Sequence, residues 1–252
     1  MGPKIPKLGL DILQTVREKT GFNQLENSFA AITWFENLQN TQDLSFIQFD
    51  IIDFYPSISE ELLQKAIQFA KQFIDISDSD CEIIFQARKS FLFHNNIAWE
   101  KSKNKEFDVT MGSYDGAEIC DLTGLFLLSK LQDFGINVTL FRDDGLAASP
   151  LPPNETDGVK KKIKKVFNDL NLNITIDANL KCVNFLDVSF NLNSHIYRPY
   201  MKPNETPLYI HKQSNHPPYI VKNIGPSVNW RLSAISKNED VLSSQFNHTR
   251  KP

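Results

Sequence analysis

Three aspartates are the residues of this sequence best suited to chemistry. Asp50 stands inside the run Phe46-Ile47-Gln48-Phe49-Asp50-Ile51-Ile52-Asp53-Phe54. The run is short and β-prone and is followed by Pro56, so it reads as a buried strand. A carboxylate inside such a strand is costly unless something pairs with it, and a divalent metal ion is one such partner. The second acidic stretch is Phe141-Arg142-Asp143-Asp144-Gly145, with Asp143 lying 93 positions after Asp50 (143 − 50). Carboxylates brought from two separate strands to a pair of metal ions are what two-metal phosphoryl transfer requires. Plainer readings stay open at this point. Asp50 could cap a neighbouring backbone group, and Asp144-Gly145 alone could be only a tight hairpin turn.

Elements to position these residues are visible around them. Leu8, Ile12, Leu13 and Val16 recur at helical spacing and Gly21 offers a stop, with residues 1–7 as an extended lead-in. A second helix is expected over 26–38, carrying Phe29, Ile32, Phe35 and Leu38. After the 46–54 strand come Tyr55 and the break at Pro56. The next helix is opened by Ser57 with Glu60 at capping-box spacing and runs from Ser59 to about 74. Ser77-Asp78-Ser79-Asp80 caps a further helix, about 80–93. Residues 95–110 read as a hairpin in which 97–99 and 107–109 flank the polar loop 101–105. Met111-Gly112-Ser113-Tyr114-Asp115-Gly116 forms a glycine-bearing loop before an apolar helix at 117–133. Strands follow at 136–141 and 146–148, with Asp144-Gly145 turning between them. A lysine-rich helix spans 158–170, and strands are expected at 172–177, 182–190 and 195–200, with Asn193 in the turn before the last. Prolines then dominate, with a short closing helix near 228–237. The order is α+β, and a central sheet backed by helices on one face would bury these patterns.

Composition narrows the classes. The chain has 252 residues, 41% apolar, with a net charge of −3, so the molecule as a whole is not a polycation. Nucleic-acid binding would need local basic surfaces. Two are available. One is the helix bearing Lys160, Lys161, Lys162, Lys164 and Lys165, which could equally be a solvated face. The other is the tail from His195, with eight Lys/Arg against three Asp/Glu and interleaved tyrosines. The three cysteines, Cys81, Cys120 and Cys182, are scattered, which favours a reducing compartment and gives no zinc-ligand spacing. No segment has the apolar length of a membrane span, and the first residues lack the apolar core of a signal peptide, so an intracellular protein is expected.

Several strings together resemble reverse transcriptases. Phe49-Asp50-Ile51-Ile52-Asp53-Phe54-Tyr55-Pro56-Ser57-Ile58 resembles the first palm motif, and Phe141-Arg142-Asp143-Asp144 the aromatic-x-Asp-Asp motif. Met111-Gly112-Ser113 is similar to the glycine loop between them. Phe185-Leu186-Asp187-Val188, Lys202-Pro203 and Ser214-Asn215-His216-Pro217-Pro218 are similar to strings of Penelope-like retroelement polymerases.

The resemblance implies an RNA-directed DNA polymerase with a palm-like antiparallel sheet backed by helices. It implies Mg²⁺, with Mn²⁺ as a substitute, held by Asp50, Asp143, Asp144 and the carbonyl of Ile51. Asp53 fits a hydrogen-bonding role near the helix better than ligation. Tyr55 would exclude a 2′-hydroxyl, Met111, Gly112 and Ser113 would lie against the template base and incoming deoxynucleotide, and Lys181 would protonate pyrophosphate. Lys160, Lys161, Lys164, Arg198 and Lys202 would follow a nucleic-acid backbone. Partners would be an RNA or DNA template with its primer, and dNTPs. The sequence departs from the family in three places. The glycine loop lacks the usual Ser-Pro, only about 45 residues precede Phe46, and little chain is left for a thumb. Fingers and thumb are therefore expected to be incomplete, with domains at 1–45 (helical lead-in), 46–200 (palm) and 201–252 (basic, proline-rich extension). The alternative reading is a catalytically dead nucleic-acid-binding remnant.

Overall fold

The computed structural model describes residues 4–89, 92–99, 107–202, 210 and 214–238. In chain order the elements begin with α1 (Lys4–Thr20), α2 (Ser28–Glu36), β1 (Ser45–Ile51), the single-turn α3 (Phe54–Ser57), α4 (Glu60–Ala70) and α5 (Asp78–Gln86). A small hairpin, β2 (Leu92–His94) and β3 (Ile97–Trp99), precedes α6 (Gly116–Leu131). There follow β4 (Asn137–Phe141), β5 (Asp144–Ser149), α7 (Pro153–Asp169) and β6 (Ile174–Leu180). Last come β7 (Cys182–Phe185), β8 (Val188–Asn191), β9 (Ile196–Pro199) and α8 (Pro218–Ala234). This is the α+β order that the sequence patterns predict.

Contacts divide the chain into two compact units, Met1–Leu25 with Ile47–Asn179, and Glu26–Phe46 with Leu180–Pro252. This division does not follow the linear boundaries expected at 45/46 and 200/201. Strands β7 to β9 group with the segment that carries α2.

The first unit is built on a four-stranded sheet in the order β4-β5-β1-β6. The β4 and β5 strands pair antiparallel, with Phe141 opposite Asp144 and Leu140 opposite Gly145. One apolar cluster joins Ile47, Phe49 and Ile51 of β1 to Ile12, Leu13 and Val16 of α1, Leu63 and Ile67 of α4, and Ile163 and Phe167 of α7. Each such side chain removed from water contributes about 1.5–3 kcal/mol. Helix α6 is buried nearly all round (Leu122, Leu125, Phe126, Leu127 and Leu128), as a helix apolar on every side must be. The α1 helix ends where expected, at Gly21, whose φ of 62° suits glycine and whose N–H donates to the Arg17 carbonyl at 3.0 Å.

The second unit pairs β7, β8 and β9 into a three-stranded antiparallel sheet. Its core gathers Phe35, Phe46, Phe190 and Tyr197, with the Phe35 and Phe190 rings 4.9 Å apart. Asn27 caps α2, its side-chain oxygen accepting from the N–H groups of Phe29 and Ala30.

Several local expectations are corrected. The α1 helix starts at Lys4 rather than after residue 7, because Pro6 falls in its first turn, where the missing N–H costs nothing. Ser59, not Ser57, caps α4 and accepts from Leu62 N–H, while Ser57 ends the separate turn α3. β3 pairs with β2 rather than with 107–109, through Asn95 and Asn96, both left-handed (φ 50° and 60°), the pair of conformations of a type I′ turn. The 182–190 segment is two strands, broken at Leu186-Asp187. α8 begins ten residues earlier than expected, at Pro218 rather than 228. The loop 101–105 lies outside the described residues.

Candidate active site

β1 and the β4–β5 hairpin bring the expected aspartates together. Ile51 closes β1 and its N–H donates to the Asp143 carbonyl at 3.0 Å. The register places Arg142 and Asp143, not Asp144-Gly145, in the two-residue turn. Arg142 takes the left-handed conformation such a turn demands (φ 53°), and its guanidinium folds back over the Phe141 ring, 5.5 Å from the centroid. Asp144 therefore opens β5, and Gly145 is strand rather than turn. Its glycine has another cause: a Cβ at 145 would run into the Phe49 ring, which itself packs 5.4 Å from the Phe167 ring. The glycine thus lets β5 close onto β1, one residue from each of two acidic side chains.

The electrostatics follow from that closeness. The Asp144 carboxyl is pushed up to about 6, first by burial and then by the charges of Asp143 and Asp50. The Asp50 carboxyl is raised as well, first by burial and then by Asp143. Burial and like charge both penalise an ionised carboxylate, and here they act together. Among the described residues, no hydrogen bond or ion pair reaches the three carboxylates.

Tyr55, in α3, is only 8% exposed and its hydroxyl lies beside the Cys120 thiol of α6. Burial and that neighbour push the Tyr55 hydroxyl up to about 12. Burial also pushes the Cys120 thiol up, and both Asp143 and Arg142 are near enough to act on it. The early turns of α6 are thereby brought beside the hairpin turn. The glycine loop precedes them. Met111 is 76% exposed, Gly112 has a φ of 88°, and the Ser113 hydroxyl is buried without a partner. Asp53 is exposed and left-handed (φ 50°), and accepts from Ser57 N–H through its backbone at the start of α3.

The other expected residues lie on other elements. Lys181 belongs to the second unit and donates to the carbonyls of Gln42 and Leu44 at 2.7 and 2.6 Å. Arg198 and Lys202 are exposed residues of the second unit. In the first unit, Lys161 and Lys164 lie on the exposed side of α7, and Lys160 reaches Asp177 at 4.0 Å. Sequence reasoning missed Arg88 and Asp115, a fully buried ion pair, each 1% exposed. Asp115 just before a helix was a visible signal, but nothing in the sequence marks Arg88 as buried.

Aspartate oxygens from two strands, with no cation paired to them among the described residues, are the donor type that hard divalent ions take. The match is one of chemistry, since among the described residues no three His, Cys, Asp or Glu side chains are close enough together to hold an ion as they stand.

No protein-family model and no curated protein matches the sequence. Solved structures do match. One is apo telomerase from Candida tropicalis, with a TM-score of 0.61 and 12% identity over 78% of this chain and 40% of that one. A form of the same protein truncated from its C-terminal domain gives 0.52 and 12% over 78% and 45%. Telomerase from Candida albicans, solved with a fragment of telomeric RNA, gives 0.51 and 11% over 79% and 39%. The chain therefore shares, over most of its length, the fold of these telomerase structures. It spans less than half the length of these structures. Among the described residues no helix is long and apolar enough to cross a membrane.

Proposed function

We propose that this chain is the palm region of a retroelement reverse transcriptase, transferring deoxynucleotides onto a primer 3′-hydroxyl along an RNA or DNA template. One observation carries the reading. In a polymerase-like fold, Asp50, Asp143 and Asp144 come from β1 and the β4–β5 hairpin, the charge of Asp143 adds to burial in raising the Asp50 and Asp144 carboxyls, and among the described residues no cation pairs with them. The carboxylates of Asp50, Asp143 and Asp144, with the Ile51 carbonyl, would hold two Mg²⁺ ions. Bound there, the ions would activate the primer hydroxyl and neutralise charge on the triphosphate. The chain's own part is positional. Gly145 lets the strands close, the Arg142 turn aims Asp143, and the exposed Met111-Gly112 backbone offers a surface to the base pair. The Tyr55 ring, buried beside Cys120, would form the wall against a 2′-hydroxyl.

Primer extension with Mg²⁺ tests this. The wild-type chain should extend a primer with dNTPs, and Asp143→Asn should lower the rate about a thousandfold, which is several kcal/mol of lost charge stabilisation. Extension that survives Asp143→Asn overturns the assignment. Salt-sensitive binding to template–primer without extension would instead favour the inactive nucleic-acid-binding remnant.

A further inference from the structure

Arg88 is a fully buried cation that the polymerase reading does not use. It follows α5, and it holds the glycine loop at both ends. At the entry, its backbone carbonyl accepts from Asp108 N–H at 2.9 Å, and the neighbouring Lys89 bridges to Phe107. At the exit, its guanidinium donates to the Asp115 carboxylate. Both side chains are 1% exposed. Between the two ends, Thr110 to Gly116 fold into consecutive turns, with Ser113 N–H donating to the Thr110 carbonyl at 3.1 Å and Gly116 N–H to the Ser113 carbonyl at 3.4 Å. Gly116 is needed there, because a Cβ would lie 2.7 Å from the Thr110 carbonyl. Asp115 is also the first residue of α6's hydrogen-bonding, accepting from Ile119 N–H at 3.0 Å. One residue further on, α6 delivers Cys120 to Tyr55 and to the field of Asp143.

A buried ion pair is a poor route to stability alone, since removing both charges from water offsets much of their attraction. Here the saturation is also incomplete. Among the described residues, the Arg88 Nε and Nη1, the second Asp115 carboxylate oxygen and the Ser113 hydroxyl have no partner. What the pair does supply is direction, since a guanidinium–carboxylate contact fixes two segments in register as apolar packing does not.

We infer that Arg88 and Asp115 are positioning residues. They fix the Met111-Gly112-Ser113 backbone and the start of α6 relative to the three aspartates, so that the loop meets the incoming nucleotide and its template base in one geometry. This rests on the polymerase reading for its kinetic consequence but not for its structural one.

The test uses the full chain with Asp115→Asn, Arg88→Lys and the double variant Arg88→Met/Asp115→Leu. The double variant removes both buried charges together, so it should keep or regain the wild-type melting temperature. Its KM for dNTP should nonetheless rise about tenfold to a hundredfold, the scale of a roughly 1 Å misplacement, with kcat changed far less. Hydrogen exchange at the amides of Ser113 and Gly116 should speed up in all three variants, while the β4–β5 amides keep their protection. Wild-type KM and loop exchange in a stable double variant would overturn the inference and leave a packing role. If the wild-type chain extends no primer, the function fails, and the exchange measurement alone still decides whether the pair holds the loop.

Discussion

Two hairpins of this chain turn with the same device and use it differently. The β4–β5 loop is Arg142-Asp143 and the β7–β8 loop is Leu186-Asp187. In each the first residue is left-handed, at φ 53° and 55°. In each the second is an aspartate. Asp187 is satisfied. One of its oxygens accepts from Ser28, and the other takes Arg231 through Nη2 at 2.6 Å and Nε at 3.0 Å. That ties the hairpin to α2 and α8 of the same unit. Asp143 meets two further carboxylates and, among the described residues, no cation pairs with it. Turn geometry therefore does not assign an aspartate its role; its surroundings do. An acidic group surrounded by like charge costs stability, and it is retained where a ligand relieves it.

The largest expected stability difference lies at the position after each turn-flanking residue. In the first hairpin it is Gly145, against the Phe49 ring; in the second it is Ser189, whose hydroxyl donates to Asn184. Gly145→Ala should cost about 1–3 kcal/mol through overpacking, and Ser189→Ala under about 1 kcal/mol, read from urea midpoints. Equal losses would remove the reason given for the glycine.

The neighbourhood of Asp50, Asp143 and Asp144 was legible because an aspartate in an apolar run and a second pair on an expected strand–turn–strand both point to adjacent strands. It made α1 and the Ser77 cap of α5 legible through periodicity and short-range capping. The turn itself lies two residues before the Asp144-Gly145 pair that the sequence favours. Asp-Gly is a strong local hairpin signal, but the Phe49 ring, nearly a hundred positions away in sequence, sets that glycine. The β2–β3 pairing was missed for the opposite reason, since Asn95-Asn96 is a weaker turn signal than the polar loop that followed. Burial of Arg88 was illegible because arginine is ordinarily a surface residue, and only tertiary contacts enclose it.

The two turn aspartates should respond to neutralisation with opposite signs. In metal-free buffer, Asp187→Asn should lower stability by about 1 kcal/mol, since its partner Arg231 is well exposed. Asp143→Asn should raise stability by about 0.5 kcal/mol by removing repulsion. The opposite signs are the point of the measurement, and a loss at both sites would mean that Asp143 too has a structural partner.

A pH titration sharpens the same contrast. The folded-state value for Asp144, about 6, lies above the ordinary carboxylate value of 3.8. The folded protein therefore binds this proton more tightly than the unfolded chain. The stability it contributes is full below about pH 4 and is lost as pH rises through about 6. Discounted for partial exposure, the loss is about 1 kcal/mol. The difference between wild type and Asp144→Asn, followed from pH 4 to 7 without metal, should show that fall, and a flat difference would mean that Asp144 is not under strain.

Divalent-ion binding by the three unrelieved carboxylates is what the proposed function requires of this site. Calorimetric titration of Mn²⁺ into the wild-type chain, Asp143→Asn and Asp187→Asn tests it without requiring catalysis. Wild type and Asp187→Asn should bind alike, and Asp143→Asn should lose about a hundredfold in affinity. Absence of binding by the folded wild-type chain, or undiminished binding by Asp143→Asn, would contradict it.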